Sequence, residues 1–145
     1  MIDYIRIKDW PPDYAQTAYR DGHFIEALQV LHGWIELRLR GILLLQRAKP
    51  DSESDHSTFG RAWDISNELS LSNIAKALFV AGVLPSETFD KIITFNRTRN
   101  AVIHKLFLEP HEKQYLGVPR PEYDAAFHRG LELCDVLETM GDELV

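Results

Sequence analysis

The sequence predicts an all-α fold, an up-and-down four-helix bundle with a short extra N-terminal helix. Three observations carry this. Long stretches free of internal proline repeat apolar residues at three- and four-residue steps. No segment alternates with period two for long enough to suggest a sheet. Two polar, proline-containing segments, Arg47–Thr58 and Glu109–Pro121, separate the long stretches as linkers. With 145 residues, 45% hydrophobic and 26% charged, residues 1–145 form one domain, because a chain of this length buries roughly two-thirds of its unfolded surface without added staples.

The short N-terminal helix is opened by Pro11-Pro12 and carries Tyr14, Ala15, Ala18 and Tyr19. Helix A starts near Asp21 or Gly22, with Phe24, Leu28, Leu31, Ile35 and Ile42 on one stripe. Helix B covers about residues 60 to 81 and stops at Gly82; Ser70 and Ser72 weaken its middle and leave room for a kink or break. Helix C follows Leu84-Pro85 and ends near Leu108. Helix D runs from Pro121 to about Met140.

Composition excludes several classes. Sixteen Lys and Arg against 22 Asp and Glu give a formal charge of −6, and such a field repels nucleic acid and anionic membrane unless a local patch reverses it. A single cysteine, Cys134, rules out an intramolecular disulfide and reads as a small buried hydrophobe among Leu131, Leu133 and Leu137. No apolar run approaches the ~20 residues of a membrane span. The opening MIDYIRIKDWPP has charges where a secretion signal would be apolar. A soluble, cytoplasmic protein with no membrane partner is expected.

Helix C breaks its own pattern. At about 100° per residue, Ile92, Phe95, Val102, Ile103 and Leu106 fall within roughly 60° of Arg99. A guanidinium therefore stands in an apolar stripe, where it is costly unless paired and hydrogen-bonded. Asn96 and Asn100 share the stripe, and Arg97 and His104 lie along its edge. Lys91 to Lys105 holds four bases and no acid, whereas Glu122 to Glu143 holds seven acids and one base, Arg129. An anionic ligand is drawn to helix C. Asn100 and His104, four apart, stack on one face. Together the helix offers a bidentate phosphate ligand (Arg99), an amide donor (Asn100) and an imidazole that gives and takes protons (His104). These suit cleavage of RNA without a metal, in which a base activates the ribose 2′-hydroxyl, a cation steadies the phosphorane and an acid protonates the leaving oxygen. Arg97 and Lys105 are solvated or make secondary phosphate contacts.

The string RNAVIH, Arg99 to His104, on the third long helix of an acidic bundle resembles the HEPN superfamily. Its signature is an arginine, four to six residues, then a histidine, often with a polar residue directly after the arginine, as Asn100 is here. The approach KALFVAGVLPSETFDKIITFNRTRNAVIH also resembles that family's helix B, glycine turn and helix C. The resemblance implies a homodimer whose two motifs face each other, with RNA or a nucleotide in the cleft. It also implies a metal-independent endoribonuclease of toxin–antitoxin or defence systems, which can have an antitoxin protein as partner, and no cofactor. Other members of the family are non-catalytic nucleotide, RNA or protein binders, which is the alternative expectation. The family's first long helix often carries an acid that contacts the catalytic arginine; Glu36 takes that place. On a helical wheel Glu36 lies beside Gln29 and Arg40, off the main apolar stripe, so contact with Arg99 requires helix A to pack on two faces. Leu106 stands where the subgroup silenced by nucleotidylation has tyrosine, so that mode of control is not expected.

Plainer readings stand beside these. Arg99 can neutralise a core carboxylate such as Glu36, Asp64 or Glu68. His104 can be an interface histidine, and Asn100 can satisfy nearby backbone. His23, His32, His56, His111 and His128 lie on separate segments without metal-ligand spacing. No glycine-rich phosphate loop and no serine-nucleophile elbow occurs.

Overall fold

A computed structural model describes residues 1–48, 56–106, 109–111 and 114–144. Its elements are α1 (Pro11–Arg20), α2 (Phe24–Ala48), α3 (His56–Ser66), α4 (Leu71–Val80), α5 (Ser86–His104), β1 (Glu109–His111), β2 (Gln114–Leu116) and α6 (Arg120–Leu144). The regular elements among the described residues are helices apart from one short antiparallel strand pair, which sets Glu109 opposite Leu116 and His111 opposite Gln114. Among the described residues no helix is long and apolar enough to cross a membrane.

Local chemistry sets the helix ends. Pro11 and Pro12 open α1, where their missing N–H groups cost nothing. Gly22, at φ +84°, turns the chain into α2 while the His23 N–H donates to the Ala18 carbonyl at 2.8 Å. Gly82, at φ +76°, repeats the device after α4, with the Val83 N–H donating to the Leu78 carbonyl at 2.9 Å. The segment expected as one helix over 60–81 is two helices. Ser70 interrupts it by capping: its hydroxyl accepts from the Asn73 N–H at 3.2 Å and starts α4 afresh. The expected end of helix C near Leu108 lies outside the described residues; α5 itself closes at His104, with Lys105 capping it. Most of the Arg47–Thr58 linker also lies outside them, and α3 already begins at His56. The strand pair occupies part of the second expected linker.

The core is organised around α2. Its Ala27, Leu28, Leu31, Ile35, Leu39 and Ile42 are buried together with Ala15 and Ala18 of α1, Leu71, Ile74 and Leu78 of α4, Ile92, Phe95 and Val102 of α5, and Phe127, Leu133 and Leu137 of α6. Each large side chain so buried contributes roughly 1.5–3 kcal/mol. Cys134 joins this core, and burial pushes its thiol up to about 12. Upstream of α1, Trp10 sets its ring edge-on to Trp34 at 4.8 Å, and Arg38 lies over Trp34 while its guanidinium pairs with Glu138 of α6.

Where α2, α5 and α6 meet, the packing leaves no room for a methyl group. A β-carbon added at Gly130 would lie 2.8 Å from Phe95 Cε2 and 2.9 Å from Leu31 Cδ1. This close approach seats α6 against both α2 and α5. Gly130→Ala is therefore expected to lower stability in urea unfolding by about 1–3 kcal/mol despite its better helix propensity. Gly141→Ala, in the same helix but with nothing within 4 Å, should raise it by up to about 1 kcal/mol. Equal stability of the two variants would contradict this account of the junction.

Candidate functional site

One face of α2 carries Gln29, His32, Glu36 and Arg40 at three- and four-residue steps, flanking the buried Leu28–Leu31–Ile35–Leu39 stripe. The facing surface of α5 carries Asn96, Arg99 and Asn100. Two polar rows thus meet along a seam beside the core, and α2 does pack on more than one side.

At the centre of the seam Arg99 is half-buried. Its Nη1 donates to Asn100 Oδ1 at 2.9 Å, and its Nη2 donates to Gln29 Oε1. Its Nε is buried without a hydrogen-bond partner among the described residues. Both acceptors are neutral amides, and no carboxylate lies within ion-pair distance of this guanidinium among the described residues. Burial lowers its pKa, and the field of Glu36 partly restores it. With their oxygens turned to Arg99, the amide nitrogens of Gln29 and Asn100 remain as further donors beside the cation.

Glu36 is committed elsewhere. Its Oε1 accepts from Arg40 Nη2 at 2.7 Å, and Arg40 Nε donates to the Ser66 carbonyl at 3.2 Å. Arg40, 9% exposed, is the arginine that neutralises a partly buried carboxylate. Arg99 feels Glu36 only through space. His32 sits between the two systems. Its Nε2 meets Asn96 Oδ1 at 3.3 Å, and its Nδ1 lies 3.9 Å from Glu36 Oε2. Burial first and the Arg99 charge second hold the imidazole below the ordinary histidine value, against the pull of Asn96 and Glu36.

The remaining expected residues lie apart. His104 is exposed, one turn beyond Asn100 at the end of α5, and Arg97 and Lys105 are exposed as well. Lys91 is bound by Glu132 of α6 at 2.8 Å and by Glu87 at 3.5 Å. The positive stretch of α5 is therefore carried by Arg97, Arg99 and Lys105. Among the described residues no three His, Cys, Asp or Glu side chains come together to hold a metal. Gln29, His32 and Arg40 were not singled out as site residues by sequence reasoning. The signal available for them was the polar row 29–32–36–40 running up an otherwise apolar helix.

No protein-family model, curated protein or solved structure matches this chain.

The lowered pKa of His32 has a consequence for folding. A histidine held below its unfolded value binds fewer protons when folded, so stability is present above about 6.5 and drains away as pH falls below it. In urea unfolding, the wild-type midpoint should fall more steeply than that of His32→Gln between pH 7 and pH 5. Parallel curves for the two proteins would contradict the assignment.

Proposed function

We propose that this chain is a homodimeric, metal-independent endoribonuclease of the HEPN type, the toxin of a toxin–antitoxin or defence system acting in the cytoplasm. The observation that supports this most is the state of Arg99. Its guanidinium is oriented by two neutral amides and faces no carboxylate within ion-pair distance among the described residues, so its charge is left for an anion. On this reading α2, the α3–α4 pair, α5 and α6 are the four helices of an up-and-down bundle, and α1 is the extra N-terminal one.

The chemistry follows from residue types. A base takes the proton of a ribose 2′-hydroxyl, the oxygen attacks phosphorus, and a phosphorane with added negative charge forms. Arg99 stabilises that charge, and Asn100 donates to a phosphate oxygen and orients it. An acid protonates the departing 5′-oxygen, leaving a 2′,3′-cyclic phosphate and a 5′-hydroxyl. His104 supplies acid and base from two copies across a two-fold axis, because an isologous interface duplicates every residue it contains. The exposed Arg97 and Lys105 meet flanking phosphates. Glu36 tunes Arg99 through its field rather than by contact.

The exposure of His104, which is bonded to none of the seam residues, favours a second reading. In that reading the same helix binds RNA, a nucleotide or a protein partner without cleaving. One experiment separates the two. RNA is incubated in EDTA with wild type, His104→Ala and Arg99→Ala, and the ends of the products are mapped. Cleavage should give 2′,3′-cyclic phosphate ends, and each substitution should slow it about 10²–10³-fold. Undiminished cleavage by His104→Ala would overturn the catalytic assignment. Binding of RNA that depends on Arg99 but never leads to cleavage selects the second reading.

A further inference from the structure

His32 is the one histidine whose ring nitrogens both face polar atoms of the α2–α5 seam among the described residues: Nε2 meets Asn96 Oδ1 at 3.3 Å and Nδ1 faces Glu36 Oε2 at 3.9 Å. A neutral imidazole has one N–H. Placed on Nε2, that proton serves Asn96 and leaves the Nδ1 lone pair turned toward a carboxylate, across a gap too long for a hydrogen bond. A second proton, on Nδ1, would let the ring donate to Glu36 and complete a continuous chain from Asn96 through His32, Glu36 and Arg40 to the Ser66 carbonyl.

The site is thus built to accept that proton, and two things oppose it. The His32 side chain is only 15% exposed, and the positive charge of Arg99 acts on it from α5. Burial is fixed by the fold, but the second opposition is removable. A phosphodiester bound at Arg99 brings a full negative charge to the guanidinium and cancels its repulsion of the imidazole. Arg99 from α5 repels the protonated ring, and Glu36 from its own helix attracts it while paired with Arg40.

We propose that docking of an RNA phosphodiester at Arg99 is coupled to uptake of one proton by His32, which makes His32 a positioning residue of the anion site. This rests on the anion-site reading of Arg99, and holds whether or not the RNA is cut. By linkage, the bound phosphate favours protonated His32 to the same extent that protonated His32 favours the phosphate. The protonated ring then fixes Asn96 of α5 and Glu36 of α2, one on either side of the seam that holds Arg99.

The test measures the affinity for a labelled eight-nucleotide RNA of mixed sequence from pH 5.5 to pH 8. Its background is His104→Ala, which removes the other histidine of the site along with cleavage. Binding should tighten as pH falls, by up to tenfold per pH unit between the free and bound midpoints of His32. Adding His32→Gln should abolish this slope. Adding Arg99→Gln should weaken binding at every pH. As a readout that needs no substitution at His32 or Arg99, the NMR titration midpoint of His32 in the His104→Ala protein should rise when the RNA is added. An identical pH slope with and without His32, or a midpoint unmoved by bound RNA, would overturn the coupling and leave the anion site standing. Failure of the RNA to bind in an Arg99-dependent way would overturn the anion-site reading itself, and the coupling with it.

Discussion

The α2–α5 seam is organised by what surrounds one guanidinium. Arg99 stands beside the core with two amide oxygens as hydrogen-bond acceptors and one buried N–H without any among the described residues. Neutral acceptors orient a cation but do not cancel its charge. The neighbouring Arg40 shows the contrasting arrangement. It is buried against the Glu36 carboxylate and the Ser66 carbonyl, and it ties α2 to the end of α3. A charge pair of that kind costs several kcal/mol to break, because one ion is left buried alone. Two arginines on facing sides of one seam therefore differ: Arg40 is paired with a carboxylate, and Arg99 has no carboxylate within ion-pair distance among the described residues.

The rest of the structure positions that charge. Gly130 lets Phe95 of α5 and Leu31 of α2 close on α6, and the polar rows of α5 and α2 meet each other at Arg99–Gln29 and His32–Asn96. The capping of α4 by Ser70 and the left-handed Gly82 turn deliver the chain to the start of α5. Removal of the Glu36 carboxylate from direct contact with Arg99 follows from the same register, since Arg40, one turn further along α2, reaches it first.

Much of this was legible in the sequence. Apolar spacing locates α2 and α5, prolines place the starts of α1, α5 and α6, and Gly82 marks the turn after α4. The wheel of α5 singles out Arg99 and Asn100 because they interrupt an apolar stripe, which is an anomaly visible in one helix alone. The split between α3 and α4 was half visible: two serines weakened the segment, but which of them would cap depended on the chain around Asn73. The roles of Gln29, His32 and Arg40 were not legible, because each is defined by a partner on another element. Asn96 lies 64 residues from His32, and the Ser66 carbonyl that anchors Arg40 lies 26 residues away. The pairing of Glu36 with Arg40 rather than Arg99 is likewise a matter of register between helices, which periodicity within one helix does not specify.

The central claim is that the charge of Arg99 is not part of the scaffold. Urea unfolding of Arg99→Gln, without any ligand, tests it most directly. A glutamine keeps an amide in the seam and removes a partly desolvated charge that no carboxylate among the described residues directly pairs, so the variant should match or slightly exceed the wild type, within about 1 kcal/mol. A loss of about 3 kcal/mol or more, the size expected for breaking a buried ion pair, would show that Arg99 is a structural residue after all and would contradict the account.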